Sequence, residues 1–165
     1  MENLALPRSQ AMPGQTSHVR EMAANLLLGR ALHMLNASCG LVVFWDADGR
    51  WNRDSFTLPG RADRLAELAP VLQALVEWTL YSEVPVAVSD LGRSRWSRYL
   101  LHDVAPPAGS IAATPLAQRG AIWGAVAVYR AAAGGDSMEL LRQLAELATE
   151  PLSSLGAGRP EGIVR

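Results

Sequence analysis

Two apolar runs, Ile111–Ala117 and Ala121–Tyr129, flank the polar Gln118-Arg119-Gly120. So short a polar break predicts a tight antiparallel hairpin. The second run is apolar at almost every position, so it must be covered on both faces and belongs in the middle of a sheet. Pro115 cannot donate to a ladder and predicts an interruption or an edge in the first strand. Gly124 predicts a bulge or a close approach by another element. Trp123 and Tyr129 share the parity opposite to Gly124, so one face of this strand reads as bulky and the other as open near its middle.

Elsewhere the spacing is helical. Apolar residues at Val19, Met22, Leu26, Leu27, Met34 and Leu35 predict a helix over 18–36, with Ser17 as N-cap and Glu21 near a capping-box offset. Leu41–Trp45 reads as a strand, Asp46-Ala47-Asp48-Gly49 as a hairpin turn, and the more polar Arg50–Leu58 as an edge strand returning from it. After Pro59-Gly60, Asp63 caps a short helix to Leu68. Pro70, tolerated in a first turn, opens a second helix through Tyr81, with Val71, Leu72, Leu75, Val76 and Trp78 on its apolar face. Pro85–Val88 predicts a short strand. Arg93–His102 predicts a short helix capped by Ser94, with Trp96, Tyr99 and Leu100 on one face and Arg95 and Arg98 one turn apart. Val104–Gly109, containing Pro106-Pro107, reads as a loop. Asp136 or Ser137 caps a last helix with Met138, Leu141, Leu144, Leu147 and Ala148 apolar, ended or kinked by Pro151. Residues 1–16 and 156–165 read as flexible tails around one domain over 17–155. Because strands come as hairpins, the sheet is antiparallel and the class is α+β. The terminal helices should pair on one face, with the middle helices and loops on the other.

Composition narrows the chemistry. With 165 residues, 49% hydrophobic and 19% charged, the chain is globular and long enough to bury a core. A net charge of −1 supplies no field for nucleic acid or an anionic membrane. All fifteen basic residues are Arg, which excludes lysine Schiff bases and a phosphate-loop lysine. The single Cys39 excludes an intrachain disulfide and a multi-thiolate metal site. His18, His33 and His102 share no metal-binding helix spacing. Thr57 stands where a calcium loop starting at Asp46 needs its bidentate acid, so calcium is dismissed. No apolar run reaches membrane-spanning length and residues 1–16 lack a signal-peptide core, so the expectation is a soluble cytoplasmic protein. There is no Gly-x-Ser-x-Gly elbow, no His-Glu-x-x-His and no phosphate-binding glycine loop, and the expectation is a protein that is not an enzyme.

The element order resembles the GAF domain family, and several local segments carry the likeness. The DADG turn is similar to the family's first hairpin. EVPVAVSDL (Glu83–Leu91) resembles its helix-to-strand segment ending in Asp-Leu. SRW (Ser94–Trp96) resembles the aromatic start of the next short helix. SIAATPLAQRGAIWGAVAVYR (Ser110–Arg130) resembles its most recognisable hairpin. The likeness covers roughly residues 18–155 and rests mostly on packing residues; a PAS-like domain is the structural rival. It implies a standalone sensory or regulatory module that binds a small molecule, or acts as a dimerisation unit through its terminal helices, and signals through a protein partner. The family's own chemistries transfer poorly. One Cys leaves no resolving thiol for a methionine sulfoxide reductase. Cys39 lies away from the Trp96–His102 segment where a bilin-linking thiol would serve. The Asn-Lys…Phe…Asp-Glu pattern of cyclic-nucleotide members is absent. Haem through His102 or His33 has no supporting pattern, and no cofactor is named.

The expected ligand site lies between the sheet and Arg93–His102. There the strand-end Asp90, the donors Arg93, Arg95 and Arg98, the aromatics Trp96 and Tyr99, and His102 come close in sequence, and Ser110 and Thr114 would face it from the central hairpin. Stacking on an aromatic with pairing to Arg suits a planar anion. Each of these residues has a plainer reading: Asp90 as a cap, the arginines as a solvated face, the aromatics as core or lid, and Ser110 and Thr114 as ordinary strand polarity. A pure interaction module, its interior filled by its own side chains, is the alternative function.

Overall fold

The computed structural model describes residues 17–45, 51–57, 62–100, 108–118, 120–131 and 136–149. Both tails, the Asp46–Gly49 turn, His102, Pro106-Pro107 and Pro151 lie outside them. Three helices, α1 (Ser17–Met34), α2 (Ala62–Ser82) and α3 (Ser137–Ala148), accompany five strands. The strands are β1 (Cys39–Trp45), β2 (Trp51–Thr57), β3 (Val86–Val88), β4 (Ser110–Gln118) and β5 (Ala121–Arg130). They form one antiparallel sheet in the order β2-β1-β5-β4-β3. The wholly apolar β5 is therefore the central strand and the polar β2 an edge, as their patterning demands.

Each face of the sheet has its own core. On one, α1 lies over β1 and β2 and α3 over β4 and β3. Leu27, Leu28, Leu32, Leu140 and Leu144 there meet Val42, Phe44, Leu116, Val126 and Val128. On the other, α2 crosses β1, β5 and β4. Leu68, Val71, Leu72, Leu75 and Val76 meet Leu41, Val43, Ile111, Ala113, Ala125, Ala127 and Tyr129. The terminal helices thus share one face of an α+β domain.

Local chemistry explains the boundaries, including those that differ from expectation. α1 stops when Asn36 adopts φ 53°, a left-handed cap in which Ala37 N–H bonds Leu32 C=O at 2.9 Å. The expected pair of helices around Pro70 is one 21-residue helix with the proline inside it. Proline costs a helix one hydrogen bond, but Leu68, Val71 and Leu72 are buried on either side of it in one core, which holds both segments in line. The buried face of α1 runs through Ala23, Ala24, Leu27, Leu28 and Ala31, leaving Leu26 and Met34 exposed; Met138 on α3 is exposed as well. Small residues let α1 sit close to the sheet, so the alanines rather than the largest side chains mark its inner face.

The hairpin that dominates the pattern shows why its parity misleads. Leu116 pairs with Gly124 and Ala117 with Ile122, so Trp123 is an extra residue in a bulge. The bulge reverses the alternation: Trp123 joins the α1–α3 core and Tyr129 the α2 core, instead of sharing a bulky face. Gly124 also stands in close contact, since a Cβ there would lie 2.3 Å from the Val43 carbonyl oxygen. The edge expected at Pro115 is a local one: β3 pairs only with Ile111–Ala113, so among the described residues β4 has no ladder partner on that side at Pro115.

Candidate functional site

β3 leads into a short loop where two side chains set the backbone. Asp90 accepts a hydrogen bond from Arg93 N–H at 3.3 Å and opens a single 3₁₀ turn, Leu91–Arg93. Ser94 accepts from Trp96 N–H at 3.2 Å while its hydroxyl donates to Leu91 C=O at 2.9 Å, opening a second, Arg95–Tyr99. The expected single helix is therefore two 3₁₀ turns. Consecutive caps four residues apart interrupt the i→i−4 ladder.

These caps decide where the candidate residues point. Leu91 and Trp96 turn inward and join Val88 in the α2-side core. Arg95 lies outside them, its guanidinium carbon 4.6 Å from the Trp78 ring centroid and 4.7 Å from that of Trp96. The two indoles, 6.4 Å apart and inclined by 64°, form a corner that the guanidinium occupies. Arg98 donates from Nε to Arg95 C=O at 3.1 Å and lies 5.8 Å from the Tyr99 ring. The Arg93 side chain is 91% exposed, with Asp90 3.6 Å away. So exposed a pair contributes little.

A shallow concavity of about 390 Å³ lies beside this ridge, bounded by Ala87–Asp90 and Arg93–Trp96. It holds Asp90, Arg93, Arg95 and Trp96 of the expected site, with Arg98 and the half-exposed Tyr99 on the adjoining ridge. Ser110 and Thr114 do not join them. Both are buried, and they alternate with Ile111 and Ala113, so they face the α1–α3 layer together with Ala112 and Leu116. Beneath Trp96, side chains of the sheet and of α2 belong to one buried apolar cluster, with Ile111, Ala113, Leu72, Leu75 and Val76 among its members. Cys39 is fully buried in that same core, and no group of three His, Cys, Asp or Glu able to hold a metal occurs among the described residues.

Trp78 and Tyr81 are the members the sequence reading missed; Trp78 was assigned to the inner face of α2. Trp78 is 37% and Tyr81 62% exposed, with their rings 6.5 Å apart. The signal was available: two aromatic pairs at i,i+3, Trp78/Tyr81 and Trp96/Tyr99, in adjacent elements.

A family model for the GAF domain matches residues 18–150. The chain belongs to the GAF domain family. Solved GAF domains share its fold at low identity. The GAF domain of the cyanobacteriochrome TePixJ is 14% identical with a TM-score of 0.55, covering 96% of this chain and 98% of that one. A GAF domain region from Geobacter sulfurreducens is 18% identical with a TM-score of 0.55, covering 86% and 99%. The GAF domain of an Acinetobacter phosphoenolpyruvate-protein phosphotransferase is 16% identical with a TM-score of 0.52, covering 85% and 90%. No curated protein matches the chain. GAF domains are often sensory or regulatory parts of signalling proteins, and generally non-catalytic. No helix among the described residues is long and apolar enough to cross a membrane.

Proposed function

We propose that this GAF domain is a non-catalytic, cytoplasmic regulatory module that works by binding a protein partner, as a homodimer through α1 and α3. The observation that supports this reading is the continuous cluster of buried apolar side chains that joins the sheet to α2. Binding chemistry is concentrated on the outside instead, in Trp78, Tyr81, Tyr99 and the arginines around them. Asp90 is exposed and accepts the capping bond from Arg93 N–H, which supports a non-catalytic role. Exposed Leu26, Met34 and Met138 on the α1–α3 layer support self-association.

The concavity of about 390 Å³ favours a second reading, a small anionic molecule held at its rim by Arg93 and Arg95. Native mass spectrometry of the purified chain, with a thermal-shift screen of anionic metabolites, separates the two. The interaction module should carry no small-molecule adduct, and no compound should raise its melting temperature. An adduct, or a hit whose shift disappears in Arg93→Ala, establishes the second reading instead.

A further inference from the structure

The ridge between α2 and the Arg95–Tyr99 turn has a composition that selects its partner. Four rings follow one another, Tyr81 to Trp78 at 6.5 Å, Trp78 to Trp96 at 6.4 Å and Trp96 to Tyr99 at 6.1 Å. Three of the four expose more than a third of their surface. Across them lie two guanidiniums, Arg95 on both indoles and Arg98 on Tyr99. Neither meets a carboxylate among the described residues, and the Arg95 side chain makes no hydrogen bond there. By contrast, the exposed Arg142 and Arg93 each have an acidic neighbour on their own element.

We infer that this ridge docks a short extended peptide segment carrying acidic and apolar side chains, on a protein partner. The inference rests on the interaction-module reading. Stacking fixes the planar fork of Arg95 before any partner arrives, which lowers the entropy lost on pairing with a carboxylate. The 6.5 Å step between the exposed Tyr81 and Trp78 rings is close to the repeat of about 6.6 Å between side chains on one side of an extended chain. Apolar side chains at alternate positions can therefore meet Tyr81 and Trp78, with the exposed Tyr99 beyond the buried Trp96, while carboxylates meet Arg95 and Arg98. A nucleic acid or an anionic bilayer is disfavoured, because either needs an extended positive field and the chain's net charge is −1.

The probe is a short fluorescein-labelled peptide rich in Glu, Asp, Leu and Phe. Its controls are one peptide with Lys for the acids and one with Ser for the apolar residues. A single-stranded oligonucleotide and phosphatidylserine vesicles serve as rivals. The full chain should bind the probe saturably, with shifts of the Trp78 and Trp96 indole N–H signals, and should bind neither control. Arg98→Glu should weaken binding at least about tenfold, the loss expected of one charge-assisted contact. Among the described residues the interactions of Arg98 are with the Arg95 carbonyl and the Tyr99 ring, so this variant should stay folded, which circular dichroism checks. Arg95→Ala should weaken binding similarly. Absence of binding by a chain free of small molecules overturns the acidic-peptide inference and leaves the interaction reading standing. Equal binding by Arg98→Glu, or preference for oligonucleotide or vesicle, overturns the inference too. A small molecule found on the purified chain removes the interaction reading itself.

Discussion

Arg95 stands on the surface, yet its carbon framework closes the corner between two indoles. A long cation at such a site works through packing as much as charge. Arg95→Ala should cost about 1 kcal/mol of stability, while Arg93→Ala, which loses only a solvated pairing with Asp90, should stay within about 0.5 kcal/mol. Urea unfolding of both variants measures the difference; equal stabilities would mean the stack contributes nothing. The reading of the arginines as a solvated face leaves out the second indole under Arg95, because Trp78 is seventeen positions away and on another element. Caps are local, so the roles of Asp90 and Ser94 were legible. For Ser110 and Thr114 alternation showed a shared face, but which layer covers that face depends on where α2 crosses the sheet. That is a tertiary fact no local pattern contains.

At the scale of elements, the strands and their pairing were the most legible part, since a wholly apolar run has one stable place in a layered sheet. What escaped were single-residue departures from regularity: the extra Trp123 in β5 and the uninterrupted passage of α2 through Pro70. The second is testable. Proline inside a helix forfeits a hydrogen bond, so Pro70→Ala should stabilise the domain by about 1–3 kcal/mol. A fall in the unfolding midpoint would show instead that Pro70 stabilises the domain where it stands, by restricting the unfolded chain. On α3, Arg142 hydrogen-bonds Glu139 at 2.8 Å and also bonds Glu146. Foremost through that hydrogen bond, Arg142 holds the Glu139 carboxyl below the usual carboxylate range. A lowered value favours the folded chain above the ordinary Glu range and ceases to do so as pH falls through it. The stability gap between wild type and Arg142→Gln should therefore narrow from pH 7 toward acid, and narrow with added salt at pH 7.

For the whole molecule the open question is what covers the α1–α3 layer. Leu26 is 38%, Met34 63% and Met138 62% exposed, while the rest of that layer's large aliphatic residues are fully or largely covered within the chain. An isologous dimer would bury three such side chains from each protomer. Burying a whole large apolar side chain contributes about 1.5–3 kcal/mol, and these begin roughly half-buried, so six contribute about 5–9 kcal/mol. Association itself costs about 4–15 kcal/mol before any contact is gained. The most favourable combination leaves about 5 kcal/mol, a Kd of roughly 0.2 mM, so the expected dimer is weak and forms only toward submillimolar concentrations and above. Sedimentation must therefore span that range, and should show a reversible monomer–dimer equilibrium. Leu26→Glu with Met34→Glu should abolish the dimer and leave the melting temperature of the monomer nearly unchanged, because neither side chain belongs to a core. A double variant that still dimerises places the contact elsewhere, and a wild-type chain that stays monomeric at the highest concentration tested removes the dimer. In the monomeric case the acidic-peptide ridge would be displayed once per molecule instead of twice, and the avidity a dimer lends to a two-site partner would be lost.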